Sequence, residues 1–370
     1  MRREAIAMNE VLLAVGTKKG LWLLRSADRR TWSVDGPHFL MNSVAACAID
    51  TRGDRPRLLV GASSSHWGPG VSWSDDLGAT WTEAADGSGI RFPAEAGASV
   101  EAVWQLRPDT AARPGVVWAG SQPSALWRSD DGGETFALVE SLWNHPHRPT
   151  WEPGFGGQAI HTVLPHPTDD QRVLVAMSTG GVYVTDDGAA GWTPSNTGIR
   201  TDFLPGEPPE YGQCVHKVSR DATDPDRLYA QNHGGVYRSG DGGATWQPID
   251  GGLPADFGFP IVAHPHRGET AWVAPLIADG ERTPPDRQLQ VWRTDDAGTT
   301  WSRSADGLPG GFYGVVLRDA MCVDDVDGAA GVYVGTRDGS VYASADEGET
   351  WAEVIRHLPD VLCVRAATIA

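Results

Sequence analysis

The chain has 370 residues, and 30 Lys and Arg stand against 48 Asp and Glu, which gives a formal net charge of -18. Because no Lys or Arg cluster interrupts this acidity, we expect nucleic acid and anionic membranes to be repelled. The 45 Gly, 26 Pro and 16 Trp, together with short apolar runs, indicate β structure with many turns, and this length favours a repeat over one undivided globule.

The N-terminal residues 1–10 are partly basic but contain no apolar segment of the kind found in a secretory signal. No apolar run elsewhere reaches membrane-spanning length. We therefore expect a cytoplasmic protein that binds neither membrane nor nucleic acid. The four cysteines, Cys47, Cys214, Cys322 and Cys363, are far apart and form no CxxC pair, so we expect reduced, buried thiols.

One motif, Ser/Thr-x-Asp-x-Gly-x-Thr-Trp, recurs along the chain and is termed the Asp box. Four copies are close to ideal: Ser74 to Trp81, Ser239 to Trp246, Thr294 to Trp301 and Ser344 to Trp351. Three copies are degenerate: Ser26 to Trp32, Ser129 to Phe136 and Thr185 to Trp192. Neighbouring motif aspartates are 48 to 56 residues apart along the series Asp28, Asp76, Asp131, Asp187, Asp241, Asp296 and Asp346.

Seven units of this length fit the four-stranded blades of a propeller. In each box the short Asp side chain can accept hydrogen bonds from turn amides, while Gly supplies a positive φ. The aromatic residue can pin the turn between neighbouring sheets. The sequence therefore predicts an all-β fold, a seven-bladed β-propeller with an Asp-box turn between strands three and four of each blade.

The predicted strands follow one order in every repeat: an apolar inner strand, then a hairpin, then the Asp box and an outer strand. The first repeat has no inner strand of its own, whereas the chain ends in an apolar strand, 361–366, that belongs to no repeat. We expect this C-terminal strand to join the first blade and close the ring. The predicted blades of this single domain are 10–40 plus 360–370, 42–89, 98–140, 158–197, 213–252, 256–308 and 311–357.

The Asp boxes resemble those of sialidase-type BNR/Asp-box repeat proteins, and the whole pattern is similar to the bacterial photosystem II stability/assembly factor-like (WD40/YVTN/BNR-like) proteins. The resemblance runs from Val11 to Val364 and implies a propeller, but it does not fix a function. A true sialidase implies an arginine triad announced by an Arg-Ile-Pro motif, which this sequence lacks. A genuine sialidase is therefore not expected.

The long insertions, 141–157, 199–212 and 277–290, all fall on the face opposite the Asp boxes, which marks that face as functional. Inner strands four and five begin alike, with Gln158 and His161 matching Gln213 and His216. We predict that these side chains meet at the channel mouth, and we omit Lys217 because strand alternation should turn it away. The predicted catalytic residues are Glu101, His161, His216 and His233, and the predicted ligand-binding residues are Gln158, Gln213, Asn232, His145 and Trp151.

These residue types suit proton transfer and the binding of a hydroxyl-rich, carbohydrate-like molecule. The favoured interpretation is a glycoside hydrolase- or lyase-like enzyme, and the alternative is a non-catalytic protein-binding or assembly-factor scaffold. Two further interpretations stay open. The imidazoles could hold a metal with Glu101, although no HxH or HExxH spacing enforces it, so cofactors are undetermined. The paired Gln and His could instead only connect neighbouring inner strands, and the loop histidines His145 and His147 could simply face solvent.

Overall fold

The computed structural model of the protein describes residues 9–154, 157–201, 208–278, 280–324 and 328–369. Within these ranges the strands form seven four-stranded antiparallel sheets, each a blade of a β-propeller. The predicted all-β, seven-bladed fold is confirmed. The N-terminal residues 1–8 and parts of the three long insertions lie outside the described residues.

Blades are numbered in chain order, and strand 1 of each blade is innermost, where it contacts strand 1 of its neighbours. Blade 1 contains β28 (Val361–Ile369), β1 (Glu10–Thr17), β2 (Gly20–Ser26) and β3 (Ser33–His38). Blade 2 contains β4 (Ser43–Asp50), β5 (Arg57–Ser64), β6 (Gly68–Ser74) and β7 (Thr82–Glu83). Blade 3 contains β8 (Ala102–Pro108), β9 (Val117–Gln122), β10 (Ala125–Ser129) and β11 (Ala137–Leu138).

The remaining four blades continue in the same order. Blade 4 contains β12 (Ala159–Pro165), β13 (Val173–Ser178), β14 (Gly181–Thr185) and β15 (Thr193–Pro194). Blade 5 contains β16 (Val215–Arg220), β17 (Leu228–Asn232), β18 (Val236–Ser239) and β19 (Gln247–Pro248). Blade 6 contains β20 (Phe257–Ala263), β21 (Ala271–Leu276), β22 (Val291–Thr294) and β23 (Ser302–Ser304). Blade 7 contains β24 (Met321–Val323), β25 (Val332–Gly335), β26 (Val341–Ser344) and β27 (Ala352–Ile355).

Helical structure in the described residues is confined to short turns between strands. The α-helix α1 (Glu140–Trp143) leads from blade 3 towards blade 4, and three 3₁₀ turns span Ala94–Ala96, Arg148–Thr150 and Pro285–Arg287. No helix in the described ranges has the length and apolar character needed to span a bilayer.

The C-terminal strand closes the ring as predicted. Strand β28 pairs antiparallel with β1, in a register that joins Val11 to Thr368 and Gly16 to Cys363. Blade 1 is thus built from both ends of the propeller. Because β28 lies innermost in the sheet that contains β1, N-terminal and C-terminal strands are joined by backbone hydrogen bonds within one blade.

Each Asp-box turn joins strands 3 and 4 and is held by hydrogen bonds to its aspartate. In blade 2 the Asp76 carboxylate accepts from the Thr80 main-chain N–H at 2.8 Å and from the Ser74 hydroxyl at 2.7 Å. The Thr80 hydroxyl is the largest of the causes that lower the pKa of Asp76 to about 2, followed by the Thr80 amide and the Ser74 hydroxyl. The turn is therefore built around a carboxylate that stays ionised over the ordinary pH range.

The motif tryptophans connect each blade to the preceding one. The indole N–H of Trp246 donates to Ser195 O at 2.8 Å, that of Trp301 to Ile249 O at 2.7 Å, and that of Trp351 to Ser304 Oγ at 3.0 Å. The apolar core lies between neighbouring sheets, for example where residues of blades 6, 7 and 1 form one buried cluster. The Asp box thus fixes both its own turn and the packing of successive blades.

Candidate functional site at the channel mouth

The channel mouth is the end of the axial channel where every strand 1 begins and strands 2 and 3 turn. Strand 1 of blades 3, 4 and 5 carries a β-bulge near this end, with Trp104, His161 and His216 as the respective unpaired residues. A bulge adds one residue, interrupts the alternation of the strand and re-aims a side chain. The three bulges place these residues at equivalent positions around the channel mouth.

His161 and His216 each hydrogen bond with the next blade. His161 Nε2 lies 2.9 Å from Val215 O, and His216 Nδ1 lies 2.5 Å from Gly258 O. Val215 and Gly258 occupy equivalent positions, each just before the register shift of its own strand. The histidine-to-carbonyl contact between blades 4 and 5 is therefore repeated between blades 5 and 6. Both histidine side chains are buried. Each ring therefore joins its blade to the following one.

Arg318 lies across the channel mouth. It precedes β24 of blade 7, yet its Cζ lies 5.4 Å from the ring centroid of Trp104 in blade 3 and 5.4 Å from that of Phe259 in blade 6. Its Nη2 donates to Ser178 Oγ at 3.3 Å, whereas the buried Nε has no hydrogen-bond partner among the described residues. A guanidinium carries five N–H donors. Most of the donors of Arg318 are therefore available to a further acceptor.

The charge of Arg318 also acts on the two bulge histidines. Burial, followed by the positive charge of Arg318, lowers the pKa of His161 and His216 well below the ordinary imidazole value. Both rings are therefore neutral at pH 7 and carry one N–H and one lone pair each. The Arg318 cation therefore lies near two neutral imidazoles and between two aromatic rings, and a second guanidinium, that of Arg282, lies 5.9 Å from the ring centroid of Phe259.

A second charged layer is centred on Lys217. Its Nζ donates to Asp319 Oδ1 at 2.7 Å, to Gln105 Oε1 at 3.2 Å and to His161 O at 3.3 Å. Arg365 of the closing strand β28 pairs with the same Asp319 carboxylate. Burial alone would raise the pKa of Asp319, but Lys217 and Arg365 outweigh it and hold the pKa at about 2. This layer links blades 1, 3, 4, 5 and 7 across the channel.

Sequence reasoning missed Lys217, Arg318 and Asp319. Lys217 was omitted because regular alternation would direct it away from His216, but the bulge at His216 breaks that alternation. Two signals could have found these residues. Lys217 directly follows His216 in the inner strand of blade 5, and an Arg-Asp pair precedes the inner strand of blade 7.

The structure brings His216 and His233 together, beside a cysteine. His233 lies in the turn between β17 and β18, and its ring centroid is 5.6 Å from that of His216. Cys214 directly precedes β16, and its Sγ lies 3.5 Å from His216 Nε2. The potential ligand atoms of Cys214, His216 and His233 all lie within 4.8 Å of one another. This Cys-His-His cluster could bind a metal ion.

The predicted polar residues Gln213 and Asn232 are buried, and each holds a neighbouring loop. Gln213 Nε2 donates to Pro209 O at 2.7 Å, and Asn232 Nδ2 donates to Arg200 O at 3.2 Å. The carbonyl oxygen of each side-chain amide has no hydrogen-bond partner among the described residues. Gln158 is half-buried, and its Nε2 is likewise unpartnered in the described part of the chain.

Glu101 lies in a more open position. It is exposed, immediately before β8, and its Oε2 accepts a hydrogen bond from Gln122 Nε2 at 2.7 Å. Because β8 begins at the channel mouth, the carboxylate belongs to the same rim as the bulge residues, but its hydrogen-bond partner is an amide and not a histidine.

His145 and Trp151 belong to a different cluster, in the outer part of blade 4. Trp151 is buried, and its indole N–H donates to Tyr183 Oη at 3.0 Å. His145 Nε2 lies 3.2 Å from Trp192 O, and burial is the main cause that lowers its pKa. His147 stacks on Tyr211, with ring centroids 3.8 Å apart. The structure therefore does not bring these residues together with His161 and His216.

Comparisons with known proteins relate the chain to propellers of several kinds. No protein-family model matches it. A xyloglucanase from Paenibacillus sp is 26% identical over 276 residues, which are 64% of this chain and 25% of the relative. A xyloglucanase from Hypocrea jecorina is 27% identical over 327 residues, which are 76% of this chain and 35% of the relative. The chain thus spans between a quarter and about a third of the length of these relatives.

Solved structures with a similar fold include an ancestral GH74 enzyme, with a TM-score of 0.55, 17% identity and coverage of 85% of this chain and 39% of that one. A putative 6-phosphogluconolactonase from Bacteroides fragilis has a TM-score of 0.56 and 11% identity, with 99% of each chain covered. YCF48 bound to D1 peptide is also among them, with a TM-score of 0.47, 14% identity and coverage of 85% and 81%. The chain is therefore similar in sequence to xyloglucanases over part of their length, and it shares its fold with the ancestral GH74 enzyme and the putative 6-phosphogluconolactonase.

Proposed function

We propose that the channel mouth binds a polar, carbohydrate-like molecule that carries a carboxylate or another anionic group. The observation that carries this proposal is Arg318, a charged side chain held between two aromatic rings with most of its N–H donors unused. A partly buried guanidinium without a paired anion is unfavourable unless a ligand compensates it. A carboxylate accepts two parallel hydrogen bonds from a guanidinium and matches it in charge.

The rings beside Arg318 suit the rest of such a ligand. Trp104 and Phe259 offer apolar faces, and a sugar ring presents C–H groups that pack on aromatic surfaces while its hydroxyls point outwards. Gln158 and Gln213 carry amide atoms without partners in the described residues, and these could bind hydroxyl groups. The similarity to xyloglucanases supports a carbohydrate ligand.

We further propose that the chain acts on this ligand as a glycosidase-like hydrolase or lyase. Hydrolysis generally uses two carboxyl groups on either side of the glycosidic bond. Glu101 is an exposed carboxylate on the rim, but Asp319 is buried and already engaged by Lys217 and Arg365. A lyase needs a base and a cation that neutralises the carboxylate, roles that His233 and Arg318 can fill, and this favours elimination over hydrolysis.

Elimination would proceed in three linked changes on an acidic sugar. The imidazole of His233 would accept the proton from the carbon next to the carboxylate, whose charge Arg318 stabilises in the transition state. The electron pair of the broken C–H bond would form a carbon–carbon double bond, and the glycosidic oxygen would leave from the adjacent carbon. A proton from Glu101 or from water would complete the leaving group. The products are an unsaturated acidic sugar and a shortened chain.

The test compares acidic with neutral oligosaccharides. We expect uronic acid-containing oligosaccharides to bind more tightly than xyloglucan oligosaccharides in calorimetric titrations. Arg318→Met keeps an apolar stem between the rings and removes the charge, so it should weaken binding roughly 10- to 150-fold, which corresponds to about 1.5–3 kcal/mol for hydrogen bonds to a charged group. Arg91→Met, at an exposed arginine with a long 3.9 Å ion pair, is the matched control.

Turnover is measured separately on the ligands that bind. Ultraviolet absorbance of an unsaturated uronate would indicate elimination, whereas new reducing ends without that absorbance would indicate hydrolysis. The binding proposal is wrong if acidic and neutral oligosaccharides bind equally, or if Arg318→Met binds as tightly as Arg91→Met. The catalytic proposal is wrong if bound acidic oligosaccharides yield neither product.

A further inference from the structure

We propose that Cys214, His216 and His233 form a site for a divalent metal ion of zinc-like preference. The site lies in blade 5 and shares His233 with the proposed elimination, so His233 could act as the base only in the metal-free chain. It goes beyond the proposed carbohydrate binding, because metal binding can be measured with no other ligand present. Thiolate and imidazole together are the donors that zinc prefers in proteins.

The backbone brings the three side chains to one place. Cys214 and His216 are two residues apart at the start of β16, and His216 is the unpaired residue of the bulge. His233 arrives from the turn after β17, and its main-chain N–H donates to Cys214 O at 2.9 Å. This hydrogen bond attaches the turn to the start of the inner strand. The cluster is therefore set by the hairpin geometry of one blade.

The distances suit a tetrahedral ion. Cys214 Sγ and His216 Nε2 are 3.5 Å apart, and all three ligand atoms lie within 4.8 Å of one another. Zinc with S and N ligands at about 2.3 and 2.0–2.1 Å places such ligands about 3.5 Å from each other. The Cys-His pair already has this spacing, and the ligand atom of His233 lies within 4.8 Å of the other two.

The tautomer of His216 also suits a metal ligand. Its Nδ1 lies 2.5 Å from Gly258 O, a carbonyl that can only accept, so the proton resides on Nδ1. The lone pair is then on Nε2, the atom that faces Cys214 Sγ. Metal-binding histidines commonly donate their other N–H to a carbonyl in this way. The ring is further held by stacking on Phe259, with centroids 4.8 Å apart.

The surrounding charge explains why a thiolate is needed in this set. Arg318 lies within electrostatic range of both Cys214 and His216, and a metal ion bound by neutral ligands alone would be repelled by it. A cysteine thiolate offsets one positive charge at this point. Three protein ligands leave the fourth position of a tetrahedral ion for water or for a ligand oxygen next to Arg318.

The test is a titration of the chelator-treated full-length chain with Co²⁺ and then with Zn²⁺. We expect one equivalent of Co²⁺ to produce a thiolate-to-cobalt charge-transfer band in the near ultraviolet, and Zn²⁺ to displace it. Cys214→Ala should abolish the band, and His233→Gln should weaken binding at least about tenfold. The matched controls are Cys322→Ala, at a buried thiol in blade 7, and His66→Gln, at an exposed loop histidine.

Thermal melts and far-ultraviolet circular dichroism of each variant show whether it is folded. The proposal is overturned if the folded wild-type chain gives no charge-transfer band, or if the folded His233→Gln variant binds Co²⁺ and Zn²⁺ as tightly as His66→Gln. It is supported if both ligand variants lose binding while both controls retain it. Since Arg318 is untouched, failure here would leave the carbohydrate proposal standing, and failure of the Arg318 test would leave the metal site standing.

Discussion

Replacing Asp319 by Asn should strongly destabilise the propeller. The carboxylate is 5% exposed and pairs with Lys217 Nζ at 2.7 Å and with the Arg365 guanidinium. An Asn side chain has nearly the same shape but carries no charge. Asp319→Asn therefore leaves two cations facing each other in the channel, without the anion that compensates them.

The magnitude follows from the pKa of Asp319, which falls from the ordinary value of 3.8 to about 2 on folding. A shift of this size corresponds to about 2–3 kcal/mol of stability at pH 7. Breaking a buried ion pair by removing one partner costs about 3–5 kcal/mol, which includes the penalty of the unpaired cations. For a chain of 370 residues the entropy of unfolding is roughly 0.8 kcal/mol per kelvin, so we expect Tm to fall by about 4–6 °C.

The assay is thermal and urea unfolding at pH 7 and at lower pH, with Asp54→Asn at an exposed turn as the control. Because the folded pKa of Asp319 is depressed, its contribution is present above about pH 4 and is lost as the pH falls towards 2. The difference in the free energy of unfolding between wild type and Asp319→Asn should therefore decrease as the pH falls through that interval. Adding Lys217→Met to the Asp319→Asn variant should restore about 1–3 kcal/mol of the lost free energy of unfolding, because it removes one of the unpaired cations.

Two results would refute this account of the channel. One is an unchanged Tm of Asp319→Asn relative to Asp54→Asn. The other is strict additivity of the Asp319→Asn and Lys217→Met effects, since uncoupled residues cannot form the cross-channel ion pair that the energy estimate assumes.

Three further outcomes are expected. Gly120→Ala should lower the free energy of unfolding in urea by about 1–3 kcal/mol, because its Cβ would lie 2.1 Å from a carbonyl oxygen of blade 4. Gly251→Ala, where the added Cβ would meet no atom within 4 Å, should be neutral. Equal effects of the two substitutions would contradict the blade packing. Truncation after Asp360 removes β28 and should abolish cooperative unfolding and make the first blade protease-sensitive; a stable truncated chain would disprove the closure. The Asp76 carboxyl should titrate near pH 2 by NMR, and Thr80→Val should raise the titration midpoint because it removes the hydroxyl donor. A titration midpoint near the ordinary value of 3.8 in the wild type would show that the turn hydrogen bonds are weak.

The blade architecture could be predicted because each Asp box is a local signal. Its aspartate, glycine and aromatic residue act within eight residues, so a self-comparison of the chain counts the blades without knowledge of any long-range contact. The closing strand could be predicted by the same comparison of repeats, since the first repeat has no inner strand and the apolar strand at the end of the sequence belongs to no repeat. The residues at the start of inner strands 4 and 5 could be matched for the same reason.

The contacts of these residues depended on features that local patterns do not encode. A bulge re-aims His161 and His216 towards the carbonyls of the following blades and lets Lys217 reach the channel, and no local residue pattern announced the bulge. His145 and Trp151 were predicted at the mouth because they lie in the loop before blade 4, and in the structure both contact Tyr183 of strand β14.

The amino-acid sequence by itself determined the number of blades and their order, because these follow from hydrogen bonds and packing within each repeat. It also determined the closure of the ring, because one repeat lacked an inner strand and one apolar strand had no repeat. Only the tertiary structure decided what faces the channel. Arg318 meets Trp104 and Phe259 because circular stacking brings blades 7, 3 and 6 to one axis, and residues more than 50 positions apart in the chain become neighbours there.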